Sequence, residues 1–244
     1  MKKTDTYVCI DLETTGLNPK TDRIIEIGAV KVENGVITDV FETFVSPGRT
    51  LEEYVVQLTG IKDEDLEGAP DIKEVLPQFL EFAGDKILLG HSVLFDFSFV
   101  KKAAVNQKLN FEREGIDTLK ISRKYLAGLE SRSLGFLCEY YQIPHQAHRA
   151  LEDAKATVTL YEKLTQQFLS SETEKDFQPQ KLIYQAKRDT PATKAQMERL
   201  YKLLEKHNIN SEELPKGVPA KLPTNLTRSE ASRYTDLILA KFGR

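Results

Sequence analysis

Tyr7-Val-Cys-Ile-Asp-Leu12, Arg23-Ile-Ile-Glu-Ile-Gly-Ala-Val-Lys-Val32 and Val36-Ile-Thr-Asp-Val-Phe-Glu-Thr-Phe-Val45 are three β-rich runs in the first 45 residues. Asn34-Gly35 separates the second from the third. A type I′ hairpin needs positive φ at both central positions, and this dipeptide supplies it. The runs therefore predict an antiparallel meander. Further along, the apolar period lengthens. Helices are predicted over 51–58, over 71–83 (capped by Asp71 with Glu74 three residues on, ended by Gly84), from Ser92 as cap to about Gln107, over 133–141 before Pro144, and over 150–169. Lys86-Ile-Leu-Leu-Gly90 reads as a short buried strand, and Gly115-Ile-Asp-Thr-Leu119 as the last one. Strands first, then alternating helix and strand, predict an α/β fold built on one mixed sheet flanked by helices.

The composition fits a main domain with a small companion: 244 residues, 40% hydrophobic and 29% charged. No window approaches the roughly 18 uninterrupted apolar residues that a membrane-spanning helix needs. The start, Met1-Lys-Lys-Thr-Asp-Thr6, lacks an apolar run, so no secretory leader is expected. Cys9 and Cys138 lie in apolar patterns and are expected to be buried free thiols of a reducing, cytoplasmic compartment. The net charge of −3 conceals an asymmetry: residues 181–244 hold 13 basic against 7 acidic side chains, the remainder 21 against 30. An acidic body suggests a cation-charged site, and a basic tail a polyanion contact.

Residues 170–180 are polar and without periodicity, so they are expected to form a linker between a domain over 1–169 and a small basic helical module over 181–244. Within that module, Thr193-Lys-Ala-Gln196 and Thr227-Arg-Ser-Glu230 each fit a capping box. Between them, Leu214–Pro223 contains three prolines and a glycine. The module has two readings, a grip on the nucleic-acid backbone or a piece that packs on the main domain or recruits a protein.

The chemistry centres on Asp11-Leu12-Glu13. Side chains alternate along a strand, so the two carboxylates share a face. On an apolar strand they repel and lose hydration unless a cation compensates. The following Thr14-Thr15-Gly16 puts them at a sheet edge, where a loop can hold substrate; a solvated pair at a strand end is the plainer alternative. Asp96, in Phe95-Asp-Phe-Ser-Phe99, falls in the first turn of a helix, where an acid also suits the helix dipole. His148-Arg-Ala-Leu-Glu-Asp153 sets an imidazole on a loop ahead of an acid near the start of a long helix, and such an imidazole can act as a general base near neutral pH. His145 reads as an exposed loop residue. Glu26, an acid inside an apolar strand, has no partner that the sequence identifies.

Asp11-x-Glu13, His91-x4-Asp96 and His148-x4-Asp153, in this order, resemble the DEDDh branch of the DEDD exonucleases, in particular the proofreading epsilon type and the exonuclease domain of Gram-positive replicative polymerases. The likeness runs from about Thr6 to Leu169 and includes Ile24-Ile-Glu-Ile-Gly-Ala-Val30, Leu58-Thr-Gly-Ile61 and Ile116-Asp-Thr-Leu119. The resemblance implies a ribonuclease H-like fold and a 3′–5′ exonuclease of DNA replication or repair. It implies Asp11, Glu13, Asp96 and Asp153 as ligands of two ions, Mg²⁺ or Mn²⁺, with His148 as general base. It further implies Thr14 and the backbone around Thr15 against the terminal nucleotide, and Leu58, Thr59, Gly60 and Ile61 against its base. Phe95 and Phe99 are either stacking surfaces or packing, and Asp117 is structural. The expected substrate is a single-stranded 3′ end, DNA before RNA, with a polymerase or other replication protein as possible partner. An RNA-trimming nuclease and a non-catalytic nucleic-acid adaptor are the alternatives. Loss of an acidic ligand would mark the adaptor, and all four acids are present.

Overall fold

The computed structural model describes residues 4–209, 213–215, 217–219, 222 and 226–243. Part of the proline-rich stretch 214–223 therefore lies outside the described residues. The meander forms as expected from β1 (Tyr7–Thr14), β2 (Ile24–Glu33) and β3 (Val36–Phe44), with φ of 54° at Asn34 and 78° at Gly35 in the turn. Strands β4 (Leu88–Gly90) and β5 (Glu114–Asp117) run parallel to β1, and β6 (Gln180–Lys181) closes the far edge antiparallel to β5. The mixed sheet has the order β3-β2-β1-β4-β5-β6.

Around it lie α1 (Glu53–Thr59), α2 (Ile72–Ala83), α3 (Val93–Asn106), α4 (Thr118–Tyr125), α5 (Leu134–Tyr141) and α6 (Ala150–Phe168). Alternation along β1 separates two cores. Tyr7 and Cys9 pack with Leu151, Ala154 and Tyr161 of α6, whereas Val8, Ile10 and Leu12 pack with Val75 and Phe79 of α2 and Phe97 and Val100 of α3. Helices cover both faces of β1, which is why its sequence is almost continuously apolar. No helix among the described residues is long and apolar enough to cross a membrane.

Several expectations need correction. β1 is an interior strand, so Asp11 and Glu13 stand at its C-terminal end and not at a lateral sheet edge. Ser92 does not cap α3: its φ is 78°, its side chain makes no cap bond, and its N–H donates to Asp117 Oδ1 at 3.1 Å. Asp117 also accepts from Leu119 N at 3.0 Å, so the chain turns there into α4 and the strand does not reach Leu119. Residues 170–180 carry a 3₁₀ turn (Glu174–Phe177) and the first residue of β6, and Phe177 is buried in the α6-side core. A single buried aromatic anchors a stretch whose polar composition reads as a linker.

The remaining helices, α7 (Lys194–Lys206) and α8 (Arg228–Phe242), both begin with the expected capping boxes at Thr193 and Thr227. They pack on a small core of Leu200, Val218, Leu226, Tyr234 and Ile238.

The seating of α6 is what positions the site. A Cβ at Gly28 of β2 would lie 2.1 Å from both Ala150 C and Leu151 N, so only glycine lets the first turn of α6 rest on the sheet. Beside it, the fully buried Glu26 carboxylate accepts from Arg149 Nε at 3.1 Å and Nη2 at 2.9 Å, and from the Ala150 N–H at 3.1 Å. Glu26 thus satisfies an otherwise orphan helix donor and has its charge compensated by arginine. We expect Gly28→Ala to destabilise the chain by at least about 2 kcal/mol, because the added methyl meets backbone and cannot be absorbed by a side-chain rotation. A thermal or urea melt checks this, and an unchanged midpoint would contradict the close seating.

Candidate active site

Four elements converge on one open cavity of about 500 Å³, lined among others by Asp11, Glu13, Leu17, His91, Phe95, Asp96, His145, His148 and Asp153. The end of β1 contributes Asp11 and Glu13, the first turn of α3 contributes Asp96, the first turn of α6 contributes Asp153, and the 142–149 loop contributes both histidines. Carboxylate oxygens of Asp11, Glu13 and Asp153 all lie within 4.8 Å of one another. Asp96 faces the same cavity.

These acids stabilise nothing in one another. Burial first, then Asp96, Asp153, Glu13 and Glu26, push the Asp11 carboxyl well above the ordinary range. Burial, opposed by the nearby backbone N–H groups of Asp96 and Leu12 and reinforced by Asp117 and Glu13, likewise raises Asp96. Glu13 is pushed up to about 8 by burial, then by Asp153 and Glu26. Such mutual shifts are the electrostatic signature of a site that needs positive charge. Hard, clustered oxygen donors fit a divalent cation such as Mg²⁺ or Mn²⁺.

The histidines divide differently from the sequence reading. His148 is exposed at the rim with φ 65°, and its backbone N–H donates to Asp153 Oδ2 at 2.9 Å. His145, read from sequence as an exposed loop residue, instead has a side chain only 9% exposed, and its Nε2 is bonded to Asp153 Oδ1. The loop folds back over the start of α6, and no spacing rule in the sequence signals that return. His91 is structural: Nε2 donates to Arg132 O at 2.8 Å and Nδ1 meets the Thr118 hydroxyl at 2.9 Å. Burial lowers its pKa and so disfavours the charged ring.

Other expected contacts are distributed unevenly. Thr14 is half-buried and donates its hydroxyl to Gly16 O at 2.7 Å. Each polar group of Thr15 already has a partner within the protein. Its N–H donates to Arg23 O at 2.8 Å, its carbonyl accepts from Tyr54 Oη at 2.8 Å, and its hydroxyl accepts from Arg49 Nη2 at 2.7 Å and Arg23 N at 2.9 Å. Phe95 lines the cavity, whereas Phe99 is buried one turn further on, with ring centroids 5.0 Å apart, so Phe99 packs. Leu58 is exposed, Thr59 is buried and bonds Val55 O at 2.9 Å, and Gly60 ends α1 with φ 70°. None of these three residues lines the acidic cavity. Leu17, which the sequence reading passed over, does so at 84% exposure.

Comparison with known proteins agrees with this geometry. The profile of the exonuclease family of the RNase T type matches residues 8–161. The chain is 40% identical over 164 residues to the DNA polymerase III subunit epsilon of Aquifex aeolicus, covering 66% of this chain and 81% of that one. It is 44% identical over 160 residues to the PolC-type DNA polymerase III of Caldanaerobacter subterraneus subsp. tengcongensis, covering 65% of this chain and only 11% of that polymerase. Among solved structures, exonuclease X in complex with 5′ overhanging duplex DNA superposes with a TM-score of 0.56 at 25% identity, covering 70% of this chain and 98% of that one. With this profile, this fold and this acidic cavity, the chain belongs to the exonuclease family and is a 3′–5′ exonuclease.

Proposed function

We propose that the chain removes nucleotides from the 3′ ends of single-stranded DNA, with Asp11, Glu13, Asp96 and Asp153 holding two divalent cations, Mg²⁺ or Mn²⁺. The convergence of four carboxylates on one cavity, three of them with oxygens within 4.8 Å of one another, supports this reading. Bound there, the ions would supply the Lewis acidity that stabilises the scissile phosphate and the departing 3′ oxygen. His148, exposed at the rim of the cavity, takes the proton from the attacking water. Phe95 and Leu17 offer apolar walls of the cavity to the terminal nucleotide. Thr15 contributes by holding the loop. DNA is favoured because the similar chains named above are DNA polymerase components, which also makes a replicative polymerase in the cytoplasm the expected partner.

A 5′-labelled DNA oligonucleotide and its RNA counterpart test the reading together. A ladder shortening from the 3′ end is expected with Mn²⁺ or Mg²⁺, faster on DNA, and abolished by chelator. Chelator-resistant cleavage by the pure protein overturns the cation assignment, and faster RNA cleavage overturns the substrate assignment. Asp11→Asn should abolish cleavage yet raise the melting temperature in chelator, because it removes a buried, repelled charge.

Stability in chelator should depend on pH through Glu13. Its folded pKa of about 8 exceeds its ordinary 4.5, so between those values the folded state binds more protons than the unfolded one. Glu13 therefore favours folding at low pH, and that contribution is lost as pH rises towards 8. Melts of Glu13→Gln should show a flatter decline across this window than the unsubstituted chain. An equally steep decline in the variant would exclude Glu13 as its source.

His148→Ala should lower turnover by about 10²–10⁴-fold with little change in affinity, the usual range for a general base. His145→Ala, by contrast, should cost less than about tenfold, since its ring orients Asp153 and a water can replace that bond. A reversed ranking of the two variants would move the base to His145.

A further inference from the structure

The loop that leaves β1 and passes the mouth of the acidic cavity, residues 15–23, is held largely from outside the catalytic sheet. Arg49 donates through Nη2 to the Thr15 hydroxyl at 2.7 Å and to Thr21 O at 3.1 Å, and lies 3.5 Å from Asp22 Oδ1. From α8, Arg233 donates through Nη1 to the same Asp22 Oδ1 at 2.6 Å and to Thr21 O at 3.3 Å. Its other arm, Nη2, donates to Glu52 Oε1 at 2.7 Å, at the residue that begins α1. Arg23 is bonded in turn to Glu230, one turn earlier on α8. The other Asp22 oxygen accepts from Asn18 N at 2.9 Å, which carries the restraint towards Leu17.

This joint rests on charge and not on apolar packing. A cavity of about 480 Å³ lies between the loop, α3 and the start of α8, lined by Asp22, Arg23, Phe99, Lys102, Glu230 and Tyr234 among others. Isolated surface pairs contribute little, but a partly buried network with one guanidinium spanning two carboxylates fixes geometry as well as energy. The guanidinium of Arg233 is the piece that joins three separate segments: the loop, the α1 start and α8.

We propose that Arg233 is a positioning residue for the exonuclease reaction. From the C-terminal helix it clamps the 15–23 loop to the start of α1, and so holds Leu17 at the mouth of the acidic cavity, where the terminal nucleotide enters. The proposal rests on the exonuclease reading above. It gives the C-terminal segment a role in substrate placement that does not require it to touch nucleic acid.

Truncation after Leu169 is a poor test, since it also removes Phe177 and Leu182 from the two main cores. Point substitutions in the full chain are cleaner. With saturating Mn²⁺ and a short single-stranded DNA, Arg233→Ala should raise KM about tenfold, the loss of roughly one charge-assisted hydrogen bond, while kcat stays within about twofold. Arg233→Lys should recover part of the loss, because an ammonium reaches one carboxylate but cannot span both. Glu52→Gln, which leaves the Asp22 bond in place, should show a smaller rise. A merely structural role would instead reduce the active fraction, lowering kcat at unchanged KM, and that result overturns the proposal. If Arg233→Ala does not fold, unchanged KM in both Arg233→Lys and Glu52→Gln overturns it. Hydrogen exchange at the 16–22 amides needs no activity: faster exchange in the variants supports the clamp, and unchanged exchange overturns it. An inactive parent chain whose loop exchange nevertheless accelerates on substitution would sink the exonuclease reading alone.

Discussion

The structure depends on how the first turn of α6 meets β2. Glu26 has no exposure to water, and it is stable there because Arg149 and the Ala150 N–H saturate it. Gly28, two residues on and facing the same way, lacks the side chain that would hold the helix off. With α6 pressed onto the sheet, Asp153 is carried to within reach of Asp11 and Glu13. A carboxylate that is well compensated therefore helps to assemble an acidic cluster in which Asp11 and Glu13 are not. Breaking a buried, paired charge is strongly destabilising, so the scaffold is rigid where the site needs it to be.

The acidic cavity is the converse case. Asp11, Glu13 and Asp96 are all shifted upward by burial and by neighbouring carboxylates, which means that the fold holds them together at a cost in stability. Local rules are broken in this way where function requires it, with the compensation placed elsewhere. Here the compensation is visible in the two apolar cores above and below β1, which share one strand and lock its end in position. The two histidines on the 142–149 loop both address Asp153, one by its ring and one by its backbone, so that carboxylate is oriented from the rim as well as from its helix.

The C-terminal helices form a small core of their own, yet they are not an independent appendage. Asp189 bonds Lys102 Nζ at 2.6 Å and Asn106 Nδ2 at 2.8 Å on α3, and α8 reaches the 15–23 loop through Arg233 and Glu230. The basic excess of residues 181–244 is therefore only partly solvent-facing. Some of it is spent on acids of the main domain, which is the electrostatic counterpart of the acidic balance in residues 1–180.

The meander, the helices α1, α2, α3, α5 and α6 and both capping boxes were legible in the sequence, because each depends on local periodicity and on turn or cap residues within a few positions. The same locality put Asp11 and Glu13 on one face, and the spacing of the three acidic motifs identified the family. Tertiary structure alone decided that β1 is interior, that Phe177 and β6 tie the apparent linker into the fold, and that His145 returns to Asp153. It also gave Glu26 a partner 123 positions away and Arg233 partners 211 and 181 positions away. Those contacts join charges far apart in the chain, and no short-range pattern encodes which of many surface arginines will face which buried acid. Local sequence thus determined the elements and the reactive residues, whereas long-range charge pairing determined how tightly the site and its entrance loop are held.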